Sequence, residues 1–94
     1  MTKKDREVLE MHLGNAIYQY QKTCRTIMEM HTRYPELDEW LSDADLYNDP
    51  IIIEFNDLDQ RRVSLHGRCL EILKELGTEF KNREEFHEYL LGRM

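Results

Sequence analysis

The side chains able to do chemistry are four histidines, two cysteines and nineteen carboxylates in a chain of 94 residues. A metal or catalytic site needs several such groups at a fixed spacing on elements that make them converge. His12, His31, His66 and His87 are dispersed, and only His66 and Cys69 sit at a helix-face interval. Two ligands do not make a site. Cys24 and Cys69 each lack a cysteine neighbour, so neither a disulfide framework nor a four-thiolate zinc site is written here. Both read as buried free thiols, and His31 as a hydrogen-bonded core or interface residue. No Ser/His/Asp or Cys/His arrangement, phosphate-cradling glycine loop or His-Glu-x-x-His occurs. The sequence therefore predicts a protein that is not an enzyme and uses no metal or cofactor.

The carboxylates are a different matter, because they are concentrated. From Met1 to Pro35 there are 6 basic and 4 acidic residues, and from Gln60 to the end 7 basic and 6 acidic. Between them, Glu36 to Asp59 holds 9 acids and no Lys or Arg, so this central segment carries more than the whole net charge of −6. Trp40, Tyr47 and Phe55 are interleaved with the acids. A negative field of this density steers a cationic surface, or imitates the spaced phosphates of a nucleic acid. The competing reading is a solvated face whose acids cap helices and keep a small protein in solution. A calcium loop is echoed by Asp43, Asp45 and Glu54 at its first, third and twelfth positions. Asn48 stands where the sharp turn needs Gly, and Pro50 follows two residues later, so chance is the better account. Direct nucleic-acid binding is disfavoured, since no basic run exceeds Lys3-Lys4 or Arg61-Arg62.

The elements that position these groups are helices. Leu13, Ile17, Tyr20, Cys24, Ile27, His31 and Tyr34 follow four-three spacing, which makes one seam of a helix over about 3–34 that opens at Thr2 and ends before Pro35. Gly14-Asn15 is its weak point, where a kink or break is allowed. Leu37, Trp40 and Leu41 place a short helix over about 36–46. Asp49-Pro50 starts a second long helix over about 50–76, with Phe55, Leu58, Arg62, Leu65, Cys69, Ile72 and Leu76 on its seam and Gly77 closing it. Asn82, three residues before Glu85, opens a last helix over about 83–91.

A single all-α domain over 1–94 follows, in which the two long helices form an antiparallel hairpin with paired residue numbers summing to about 84. The register separates Cys24 from His66 and Cys69 by several turns. Leu9, Met11, Met28 and Met30 widen the first seam, and Val63, Leu70 and Leu73 the second, beyond a two-helix contact, so a second copy is expected to complete a dimeric bundle. Gly67, opposite the second seam, marks a close approach by another helix or by a partner. No stretch nears the roughly 18 apolar residues of a membrane span, and no secretory signal opens the chain, which points to the cytoplasm.

Two functions compete. The first is a non-enzymatic regulator or inhibitor that docks Trp40, Asp43, Asp45, Tyr47 and Asp49 on a basic protein, in the style of the small accessory proteins of bacteria and their viruses. The second is a structural or assembly subunit that packs through its apolar seams.

Overall fold

Three of the four helices begin where a short polar side chain satisfies an orphan backbone N–H. Thr2 Oγ1 accepts from Asp5 N–H at 3.2 Å, Asp49 Oδ1 from Ile51 N–H at 2.9 Å, and Asn82 Oδ1 from Glu85 N–H at 2.8 Å. The computed structural model describes residues 2–92. Its elements are α1 (Lys3–Arg33), α2 (Leu37–Leu41), a 3-10 turn (Ala44–Leu46), α3 (Pro50–Glu75) and α4 (Arg83–Leu91). No strand occurs among the described residues.

The long helices form the expected antiparallel hairpin. Tyr20 meets His66 and His31 meets Phe55, pairs that both sum to 86, two residues from the anticipated register. Helix α1 runs through Gly14 without a break. A Cβ at Gly14 or at Gly67 would meet nothing within 4 Å, so the close approach expected at Gly67 is not made within this chain. The short helix expected over 36–46 is instead two pieces, α2 and the 3-10 turn. Ser42 and Asp43 divide them, because the Asp43 carboxylate accepts from Asp45 N–H at 2.9 Å and restarts the chain as a 3-10 turn.

The end of α3 is a two-bond glycine cap. Gly77 takes φ +82°, its N–H donates to Lys74 O at 3.0 Å, and Thr78 N–H donates to Leu73 O at 2.9 Å. This reversal sends α4 back toward the hairpin, where Phe86 and Leu90 are buried. The Gln21 side chain, itself buried, donates to Leu90 O at 2.8 Å and ties α4 to α1. That satisfies one of the carbonyls that a helix end leaves orphaned.

Two cores result. The larger gathers Leu13, Ala16, Ile17 and Tyr20 of α1 with Cys69, Ile72 and Leu73 of α3 and Phe86 and Leu90 of α4. The smaller lies at the α1–α2 turn and consists of Met30, Leu37 and Ile52, flanked by Tyr34, Trp40, Leu46 and Phe55. Seam residues Leu13, Ile17, Tyr20 and Ile72 are buried, whereas Ile27, Phe55, Leu58 and Leu65 are half-buried. The molecule measures 52 × 23 × 21 Å with a radius of gyration of 16.2 Å. A rounded chain of this length has a radius of about 12 Å.

Candidate functional site

The acidic segment folds with its apolar side chains inward. Leu37 is sealed in the smaller core, and Trp40 packs on Tyr34 with ring centroids 5.9 Å apart. The carboxylates face out: Glu36, Asp38, Glu39, Asp43, Asp45, Glu54 and Asp57 are exposed, and only Asp49 and Asp59 are half-buried. The segment spans α2, the 3-10 turn and the first turns of α3, so one end of the hairpin carries this charge.

The five residues expected to bind a partner have unequal freedom. Asp43 and Asp49 spend a carboxylate oxygen on helix starts, and half-buried Trp40 belongs to the smaller core. Asp45 and Tyr47 remain fully presented, with Tyr47 at 69% exposure. A shallow hollow that sequence reading missed extends the same surface, lined by Pro50, Ile53, Glu54, Asp57, Leu58 and Arg61. Ile53, 46% exposed, supplies its apolar component. The signal for it lay in the three consecutive isoleucines, of which the helix turns Ile52 inward and Ile53 outward.

His31 is more open than a core histidine. Its side chain is 41% exposed, its ring meets Phe55 edge-on with centroids 5.5 Å apart, and Nδ1 lies 3.8 Å from Asp38 Oδ1. The thiols also differ: Cys24 is half-buried and Cys69 fully buried. Burial pushes the Cys69 thiol up to about 11, which keeps it protonated and unreactive at neutral pH. Beside Cys24, the Tyr20 hydroxyl is buried without a hydrogen-bond partner among the described residues. Burial raises the Tyr20 phenol above its ordinary value, the Cys24 thiol adds to the rise, and Arg62 opposes it.

A second feature lies between α3 and α4. Arg62 and His66 are one turn apart on α3, Arg83 and His87 one turn apart on α4, and all four line one cleft of about 640 Å³ with Val63, Glu84 and Glu88. Burial, then Arg83, His87 and Arg62, hold the His66 imidazole below its usual range. Sequence reading missed this grouping because it weighed adjacent basic residues rather than basic pairs four apart. Which two helices face each other is set by the Gly77 reversal and the packing of Phe86.

Among the described residues no group of three or more His, Cys, Asp and Glu is placed to hold a metal ion. No helix there is long and apolar enough to cross a membrane. Compared with protein-family models, curated proteins and solved structures, the chain matches none.

Proposed function

We propose that this protein is a non-enzymatic regulator or inhibitor that docks its acidic-aromatic end on a basic protein target, with imitation of nucleic-acid phosphates as one route. The carrying observation is that seven of the nine segment carboxylates are exposed on a folded, core-anchored end beside the 69%-exposed Tyr47. Fixed charge around an apolar and aromatic centre suits a protein interface, where electrostatics set on-rate and specificity and buried side chains supply affinity. The contact set we assign is Asp45, Tyr47, Ile53, Glu54 and Asp57, joined by the outward faces of Trp40, Asp43 and Asp49. The cytoplasm, where basic nucleic-acid-binding proteins are abundant, is the compartment this reading requires.

The test is capture of basic proteins from a lysate at low and high salt, by the native chain and by an Asp45→Lys, Glu54→Lys, Asp57→Lys variant. These three leave the caps of the 3-10 turn and α3 intact, so folding is preserved and charge alone changes. Salt-sensitive capture that the reversal abolishes is the expected result, and displacement by duplex DNA would identify the mimicry route. Capture that survives both salt and reversal would sink the proposal.

A structural or assembly role is the second reading, and the surface area favours it. The chain exposes 7085 Å², about 1,300 Å² more than a compact monomer of its mass. A standard interface buries about 800 Å² per partner. Val8, Met11 and Tyr18 are exposed along one face of α1 and give a second copy an apolar strip to cover. Light scattering separates the readings: a homodimer that persists at high salt fits both, while higher assemblies with no salt-sensitive partner fit the second alone.

A further inference from the structure

Two clefts meet along the α3–α4 junction. The first, of about 640 Å³, holds Arg62, His66, Arg83 and His87; the second, of about 710 Å³, is lined by Leu70, Phe80 and Phe86 with Lys74 at its side. His66 and Arg83 line both, so the two form one trough, with the charges of Arg62, Arg83, Glu84 and Glu88 at one end and, at the other, the apolar Leu70, Phe80 and Phe86 rimmed by Lys74 and Glu79. Its inner wall is made of rings: His66 meets Phe86 edge-on with centroids 4.7 Å apart, and Phe80 meets Phe86 at 5.3 Å. Arg62 is engaged by Asp59 at 2.9 Å. Arg83 and His87 form no ion pair among the described residues, although Glu84 and Glu88 are their neighbours on α4.

The geometry points to this trough as a binding site for a small organic anion, a phosphate or carboxylate carried on an apolar body. The anionic group lies between Arg83, His66 and His87, and the body lies along Leu70, Phe80 and Phe86. An unpaired guanidinium supplies a planar fork suited to either anion. Each cleft by itself, at about 640 and 710 Å³, has the volume of an ordinary ligand site, and such sites are largely apolar with a few convergent polar groups.

Binding should strengthen on acidification. Two arginines and two glutamates line the charged end, so the proton on His66 tips its sign. The groups facing His66 are Tyr20 from α1, Arg62 on its own helix, and Arg83, Phe86 and His87 from α4. The cationic neighbours discourage its proton in the free protein. A bound anion reverses that balance and draws the proton in.

The experiment is a nuclear magnetic resonance titration of the labelled full chain with phenyl phosphate and with benzoate at pH 6 and pH 8. Inorganic phosphate and benzyl alcohol serve as the half-ligands. Saturable shifts at His66, Arg83 and Phe86 are expected, with each half-ligand at least tenfold weaker and binding severalfold weaker at pH 8. Whichever of phenyl phosphate and benzoate binds more tightly names the anion. Arg83→Ala, at an exposed position that supports no core contact, should weaken binding about tenfold while leaving the spectrum of the free protein folded. No saturable shift with either anion, shifts confined to other surfaces, or an Arg83→Ala protein that binds as well as the native one would overturn the assignment.

Discussion

The two ends of the hairpin share the same pair of helices but are held by different means. At the α4 end Tyr20, Cys69 and Leu90 are sealed from solvent, whereas at the acidic end only Leu37 is sealed to that degree. The α4 end draws on three helices and a buried Gln21 hydrogen bond to a residue 69 positions away. The acidic end draws on local devices, two aspartate caps and turns of three to five residues. Burial fixes the first end, while short-range hydrogen bonding shapes the second. The second end can therefore vary its outward side chains without touching the core that keeps the chain folded.

The largest test of this contrast is a pair of aromatic truncations. Phe86→Ala removes a buried ring that touches His66 and Phe80, and should cost about 3–5 kcal/mol. Trp40→Ala removes a half-buried ring and should cost less than half as much. Urea denaturation followed by helical circular dichroism measures both, and equal losses would break the comparison.

Next in size are the turns. Gly77→Ala forces a Cβ into the left-handed region and should cost about 1–2 kcal/mol, while Asp49→Ala loses one cap and should cost about 1 kcal/mol. Hydrogen exchange locates each loss, with α4 amides loosened by the first and the start of α3 by the second. Loosening of α4 by Asp49→Ala would mean that the ends are coupled.

A smaller effect, of opposite sign, is expected along α1. Gly14→Ala meets no atom within 4 Å and should stabilise the helix by up to about 1 kcal/mol. A fall in the urea midpoint would show that Gly14 is needed against a second copy.

The smallest effect is that of pH. His66 titrates lower when folded than unfolded, chiefly because it is buried, so the unfolded chain binds the extra proton. The stability from neutral His66 is present above its unfolded value of about 6.5 and lost as pH falls through the lower folded value. Melting temperature should therefore fall on acidification, and less so in His66→Gln. An identical pH profile for the two proteins would remove His66 from the account.

How much of this was legible in the sequence follows the same division. Thr2, Asp49 and Asn82 announced three helix starts, Pro35 and Gly77 two ends, and the four-three spacing the seams, because caps and periodicity act within one or two turns. The exposed acids were legible as charge. Their division of labour was legible at Asp49, whose place before Pro50 marks it as a cap, but not at Asp43, whose capping depends on the extended backbone angles it adopts there. The α3–α4 trough was hidden for a different reason. It needs α4 to fold back on α3, and the contacts that make it do so, Phe86 on His66 and Gln21 on the Leu90 carbonyl, join residues far apart in the chain.

The lopsided charge of the 52 Å rod has one more consequence. Antiparallel α1 and α3 largely cancel each other's helix dipoles, so the permanent electric dipole of the molecule comes from its side chains, with the negative pole at the α2 end. In the field of a cationic surface such a rod feels a torque before it makes contact. Such a field turns the acidic end forward and sets the long axis along the field lines, so that sideways approaches to a cationic surface become end-on ones.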